Sequence, residues 1–345
     1  MPATDTLQRR LPAEWEPQSA VQLTFPHEQT DWAEVLDEVL PCFAHIAETI
    51  SRFEKVLVVC RNIEACKRLL KNAVQENLIF VECDSNDTWA RDHGGITVFE
   101  RETPIVLDFV FNGWGLKFPA DKDNLITRQL HEKGIFSAEI QHGGIVLEGG
   151  GIESDGMGTL LTTAECLLSP NRNPHLDKAQ IEEHLKTLFG LERVLWLHHG
   201  YLAGDDTDSH IDTLARFCDP DTIAYVKCSD PNDEHFAALQ KMETELQSFR
   251  KQDGSPYRLA ALPWPDACYD SEGNRLPATY ANFLIINSAV LVPTYRVSQD
   301  AEALEIFKSL FPDREIIGID CRPLILQHGS LHCVTMQYPA TVIRT

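Results

Sequence analysis

No stretch of the 345-residue sequence approaches the roughly 20 consecutive apolar residues that a membrane-spanning helix requires. The first residues, Met1 to Pro12, carry Asp5, Arg9 and Arg10 but no apolar h-region, so no secretory leader is expected and the cytoplasm is the expected compartment. None of the 10 cysteines stands in a C-x-x-C pair, which removes zinc-ribbon and thioredoxin-like readings. Without a leader they are expected to be reduced thiols, most of them small buried hydrophobes like Cys60 at the end of Lys55–Cys60. No G-x-G-x-x-G follows a strand and no P-loop occurs, so neither a dinucleotide nor a nucleoside triphosphate fingerprint is present. Basic residues are scarce: 30 Lys and Arg stand against 52 Asp and Glu, a formal net charge of −22. That sign disfavours nucleic acid and membrane surfaces as partners, and it favours encounter with small cations. Solubility alone would also account for it.

Apolar and charged fractions of 43% and 24% are those of a globular protein with a sizeable core. Strand-like runs (Val21–Phe25, Val56–Cys60, Leu78–Val81, Ile105–Phe111, Val194–Leu197, Thr222–Val226, Phe283–Ile286, Ile316–Ile319) alternate with amphipathic helices. Trp32–Phe53 reads as a helix that Pro41 should kink or split, and Asn62–Val74 as a second helix with Asn62 as N-cap. Later helices are expected near Asp121, Asp177, Asp233 and Asp300, the last burying Leu304, Phe307, Leu310 and Phe311. From Asn62 onward the onsets recur roughly every 55 to 65 residues, which suggests five β-rich units in a closed α/β array; an open doubly wound sheet is the alternative. No linker interrupts the chain, so a single domain over residues 1–345 is expected.

Four segments carry polar side chains that ordinary turns do not need. Asp84–Gly95 sets Trp89 among Asp84, Asp87 and Asp92, and carboxylates beside an aromatic face make a seat for a flat cation. Gly204–Asp212 holds Asp206, His210 and Asp212; if a strand begins there, His210 and Asp212 share a face suited to acid/base work. Its acidic spacing is not that of an EF-hand. Glu148 precedes Gly149-Gly150-Gly151, which alone reads as a tight turn. His328–Thr335 places Cys333 in polar, glycine-bearing surroundings just before a strand, an unusual setting for a core cysteine. Together these give a thiol, a histidine and several carboxylates with no metal-ligand spacing, an inventory suited to a planar, positively charged electrophile.

At these places the chain resembles the agmatine deiminases and the related peptidylarginine-deiminase-like proteins of the guanidino-group-modifying superfamily. The matching stretches are Asn86–Asp92, Glu148–Gly151, Gly204–Asp212 and Gly329–Thr335, with Asn112–Gly115, Cys166–Pro174 and Tyr280–Phe283 in support. The resemblance implies a five-bladed pseudo-symmetric α/β propeller, the pentein fold, built from ββαβ-type units. It implies Cys333 as nucleophile, His210 as general acid/base, Asp92 and Asp212 as the carboxylates gripping a guanidinium, and Glu148 as support for the histidine. Trp89, Asp87 and Asp206 are the further substrate-binding candidates. Neither a metal nor an organic cofactor is implied. The expected partner is a small cationic guanidinium compound, agmatine first; whether copies of the chain associate is left open. Deimination of free arginine or peptidylarginine is an alternative, with Arg91 the one candidate anchor for a carboxylate, and a non-catalytic pentein that binds a partner is another. The family's nucleophile loop commonly opens with glycines, whereas here it reads Gln327-His328-Gly329, which bears on the substrate more than on the chemistry.

Overall fold

The computed structural model describes residues 9–344, which form five mixed sheets and one short two-stranded ribbon. Four of the sheets centre on Thr103–Val110, Thr159–Thr163, Thr222–Val226 and Ala289–Thr294. Each central strand pairs antiparallel with the strand before it and parallel with the one after it. In the fifth, Gln18–Thr24 pairs parallel with Lys55–Cys60, and its antiparallel neighbour is the C-terminal strand Thr335–Pro339. The first sheet is thus completed by the end of the chain. A parallel pair cannot be joined by a hairpin, and in each unit a helix makes the crossover. The crossover helices beside the central strands are Leu36–Ser51, Ile126–Glu132, Lys178–Phe189, Phe236–Ser248 and Asp300–Leu310, and in the fifth sheet Ile63–Leu69 makes a second crossover, to Leu78–Glu82. Five such units make the expected five-bladed α/β propeller, not an open doubly wound sheet.

Local chemistry accounts for two of the helix starts. Asp177 and Gln180 form a reciprocal capping box, with both hydrogen bonds 2.9 Å long. The Asn62 side chain accepts from the Ala65 amide at 3.0 Å, as an N-cap should. That helix ends at Leu69, short of the expected Val74, because the Gln75 side-chain amide takes the Leu70 and Ala73 carbonyls at 2.8 and 2.9 Å. The first helix is split, but at Val35 and not at Pro41: a 3₁₀ turn over Ala33–Val35 precedes an α-helix that runs on through Pro41. Pro41 lies early enough that its ring deprives only the Asp37 carbonyl of a partner. In Asp300–Leu310, Phe307 packs edge-on against Phe283 with ring centroids 4.8 Å apart; Phe307 and Phe311 are core as expected, whereas Leu304 and Leu310 are only half-buried against it. All ten cysteines are buried and unpaired.

A cluster of charges lies between the sheets. The fully buried Arg216 reaches Glu14 at 2.9 Å and Glu153 at 2.6 Å, and its guanidinium stands 4.7 Å from the Phe283 ring centroid. Burial alone would raise the Glu14 carboxyl, but Arg216 and His332 outweigh it and hold the group well below the usual carboxylate range. Removing one partner from such a set leaves uncompensated charge in the core. Arg216→Leu is expected to lower unfolding free energy by about 3–5 kcal/mol, read by urea denaturation. A loss under about 1 kcal/mol would show that the two glutamates simply neutralise themselves.

Candidate active site

Each of the five chain crossings between sheets delivers a polar side chain to one place. The crossing after Leu78–Glu82 holds Asp92 in the short helix Ala90–His93, and the one after Glu139–Val146 holds Glu148. The third, after Arg193–Leu197, brings His210 and Asp212; the last, after Glu315–Asp320, brings Cys333. The fourth contributes Asn282, which precedes Leu284–Ile286. His210 and Asp212 do not alternate on a strand as expected. His210 caps a 3₁₀ turn over Ile211–Thr213 that contains Asp212, and the strand starts at Ala215. The turn still sends both side chains into the interior, each with no exposed surface.

Cys333 lies with Sγ 3.8 Å from Asp212 Oδ2 and against the Asn282 amide, whose Nδ2 and Oδ1 are 3.3 and 3.4 Å away. Asn282 Oδ1 also accepts from the His332 amide at 2.8 Å, so one side chain sets both the loop and the thiol. Burial pushes the Cys333 thiol well above its ordinary value, and the Asp212 and Asp92 carboxylates push the same way. The thiol therefore keeps its proton until positive charge arrives beside it. Burial would also raise Asp212, but the His332 hydrogen bond, 2.8 Å from Nδ1 to Oδ2, leads the opposing effects and holds Asp212 below its usual value. The other oxygen, Asp212 Oδ1, is buried and has no protein partner. Buried acceptors are nearly always satisfied, so this one awaits a donor.

Asp92 accepts from Trp114 Nε1 at 2.9 Å and from the Gly150 amide at 3.0 Å. Burial pushes it up to about 6, against the pull of His210. For His210 the balance reverses: burial lowers it, but Asp92, Cys166 and Glu148 together hold it well above its ordinary value. Its ring nitrogens lie 3.6 Å from Asp92 Oδ1 and 3.9 Å from Glu148 Oε2, near enough for attraction and too far for a hydrogen bond. Glu148 is fixed from behind by Arg172, whose Nε sits 3.0 and 2.8 Å from its two oxygens, while Arg172 Nη1 reaches Asp208 at 2.6 Å. The glycines after Glu148 are more than a turn. A Cβ on Gly150 would stand 2.5 Å from His210 Nδ1 and 2.9 Å from Asp92 Oδ1, so no other residue lets these groups approach.

A cavity of about 130 Å³ opens above Cys333 and Asp92. Trp89, Trp114 and Phe118 wall it; Asp31, Asp87 and Asp206 add carboxylates, and Gln327 and His328 also line it. No lysine or arginine is among the lining residues. Trp89 lies over Gly329, where a Cβ would come 2.1 Å from the ring, and its indole nitrogen donates to Asp87 Oδ2 at 3.0 Å. Asp87 Oδ1 is buried without a partner, and burial together with Asp31 pushes that carboxyl up to about 7. His328 occupies the left-handed region at φ 67°, where glycine is at ease, and is held there by a 2.7 Å contact between Nδ1 and the Gly204 carbonyl. Gln327 bonds the Asp31 carbonyl at 2.9 Å. The two departures from the expected glycines thus tie three loops together at the cavity. Arg91 is elsewhere: buried, 3.7 Å from Glu14 and outside the cavity, so it anchors no substrate carboxylate.

Residues 10–339 match the Porphyromonas-type peptidyl-arginine deiminase family. The chain belongs to this family. Among relatives, the agmatine deiminase of Pseudomonas aeruginosa is 33% identical, with 96% of this chain and 95% of that protein covered. Among solved structures, a Porphyromonas gingivalis protein named only provisionally, as an arginine deiminase, is 57% identical over 97% of this chain and 100% of its own, with a TM-score of 0.94. A serine variant of the C. jejuni agmatine deiminase, solved with substrate bound, is 40% identical over 97% of each chain, with a TM-score of 0.91. Among the described residues of this family member, no helix is long and apolar enough to cross a membrane.

The structure brings together all the residues expected at the site. Cys333, Asp92, Asp87, Asp206 and Trp89 line the cavity, and His210, Glu148 and Asp212 lie directly behind it. Sequence reasoning did not assign Asn282, Trp114, Arg172, Cys166 or Asp31. Asn282, Trp114, Arg172 and Cys166 stand inside stretches that carry the resemblance, but only their contacts, such as those of Asn282 with Cys333 and of Arg172 with Glu148, reveal what they do.

Proposed function

We propose that this chain hydrolyses agmatine to N-carbamoylputrescine and ammonia through a covalent intermediate on Cys333. One observation carries the choice of substrate: the cavity above the thiol is lined by four aspartates, Asp31, Asp87, Asp92 and Asp206, and by no lysine or arginine. Agmatine has a guanidinium at one end and an ammonium at the other. Free arginine would bring an α-carboxylate into the same acidic space, with Arg91 turned away to Glu14. The names borne by the relatives agree with this reading, and the small cavity favours a free compound over a polypeptide.

In the reaction, Asp92 and the open Oδ1 of Asp212 grip the guanidinium and present its carbon to Cys333. The cation offsets the carboxylates that hold the thiol protonated, the proton leaves through the cavity, and the thiolate forms a C–S bond. His210 already carries a proton, and gives it to the nitrogen whose C–N bond breaks as ammonia leaves. A water molecule then attacks the S-alkylthiouronium carbon while His210, now neutral, takes its proton. The C–S bond breaks, leaving a ureido product, and Cys333 is restored. Glu148, pinned by Arg172, keeps the imidazole in place between the two steps.

The test is a panel of agmatine, free arginine, peptidylarginine and methylated arginine, with ammonia and ureido product both measured. Agmatine is expected to exceed the others in kcat/KM by at least about 100-fold, the scale of a missing buried charge partner. Preference for arginine or a peptide would overturn the substrate and keep the chemistry. Ureido formation from none of the four would overturn the chemistry as well.

A further inference from the structure

Behind His210, on the side away from Asp92, lies a sulfur that the proposed reaction does not use, that of Cys166. The Cys166 sulfur, a Glu148 oxygen and a His210 ring nitrogen all fall within 4.8 Å of one another, and all three residues are buried. Two further facts distinguish this from a chance meeting of polar side chains. His210 has no exposed surface, yet neither ring nitrogen has a hydrogen-bond partner. Glycine also leaves the space open: a Cβ at Gly151 would reach 3.2 Å from Cys166 Sγ and 3.9 Å from His210 Cδ2.

We infer that Cys166, His210 and Glu148 form an inhibitory site for a thiophilic divalent cation of the zinc type. Sulfur, imidazole nitrogen and one carboxylate oxygen are the donors such an ion prefers, and three protein ligands leave a fourth position for water. Bond lengths of about 2.0–2.3 Å put tetrahedral ligand atoms roughly 3.3–3.8 Å apart. His210 Nε2 and Glu148 Oε2 are already 3.9 Å apart, so only small side-chain shifts are needed. Arg172 keeps one nitrogen on Glu148 and another on Asp208 at 2.6 Å, and a carboxylate has lone pairs to spare for both a guanidinium and an ion. The ion displaces the Cys166 proton, and its two charges then balance one thiolate and one carboxylate.

The consequence for turnover is direct. An ion on Nε2 leaves the only proton of the neutral imidazole on Nδ1, so His210 can no longer accept one from water. Asp92, which lines the cavity, lies 3.6 Å from His210 Nδ1 at the opposite edge of the ring. The site differs from the usual poisoning of a cysteine hydrolase at its nucleophile, because Cys333 takes no part.

Two variants separate these cases, with cobalt(II) as a spectroscopic stand-in for zinc and the full chain as the protein. The intact protein and Cys333→Ala are both expected to bind one ion tightly, with a thiolate-to-cobalt absorption band. Cys166→Ala is expected to lose that band and to bind zinc at least tenfold more weakly, and His210→Ala, should the first variant fold poorly, to show the same weakening. Zinc is expected to inhibit the intact enzyme and a chelator to restore it. Absence of binding to the intact protein, a band that survives in Cys166→Ala, or one lost in Cys333→Ala would each overturn the proposal. These readings are made on binding, so they stand apart from whether agmatine is the substrate.

Discussion

Cys333→Ala is expected to lower agmatine turnover at least about 10⁵-fold, measured as ammonia and ureido product together, because the nucleophile of a covalent mechanism has no partial substitute. No other thiol lines the cavity, and Cys166, the other sulfur in the neighbourhood, belongs to the group behind His210. Binding should survive, since Asp92, Asp212 and the aromatic walls are untouched, so the variant should hold agmatine without consuming it. Residual turnover above about 1% would sink the covalent route and leave water attacking directly. The buried thiol adds a sign that can be checked. Its acidity is suppressed in the free protein, so alkylation by a neutral reagent should be slow near neutrality and rise only well above pH 9, the ordinary thiol value.

His210→Ala should cost about 10³–10⁴-fold in kcat, the range of a well-placed general acid/base acting in both steps. The two steps do not suffer equally. The guanidinium arrives already protonated and can supply its own proton to the departing nitrogen, whereas water has no comparable base once His210 is gone. Deacylation-like hydrolysis therefore becomes the slow step. A stable adduct on Cys333, heavier by agmatine less ammonia, should build up and be visible by mass spectrometry of the intact chain. Turnover within tenfold of the parent would overturn the assignment; loss of turnover without an adduct would place the histidine in the first step only.

Much of this was legible because the chemistry is unusual for its location. A tryptophan among aspartates, a histidine among aspartates and a cysteine beside glycine and serine all depart from what a turn or a core requires. The helical face of Asp300–Leu310 and the caps at Asn62 and Asp177 were readable for the converse reason, that local preference and final structure agree there. What escaped was whatever depends on contact between distant segments. Glu14 and Arg216 look like surface charges in sequence, yet Arg216 is fully buried and holds the carboxylate that His332 also reaches at 2.7 Å. Several strands, among them Glu139–Val146 and Arg258–Leu262, went unassigned because Gly143-Gly144 or Arg258 interrupts the apolar pattern. The five-fold repeat shows itself fully only in pairing: the even onsets counted from Asn62 include the second helix of the first unit, Ile63–Leu69, whereas the helix equivalent to the other four is Leu36–Ser51.

The pairing of Thr335–Pro339 with Gln18–Thr24 has a bearing on how the protein comes into being. Tyr338 and Gln22, bonded across that seam, are 316 positions apart, so this sheet can be assembled only after both of these distant segments have been made. Such distant pairing is slow to find. Cys333 stands two residues before the closing strand, and its loop is held by Asn282 and, through Asp212, by the far side of the site. Reactivity and closure therefore arrive in one event. An unclosed chain lacks the Asn282 and Asp212 contacts that surround the Cys333 thiol.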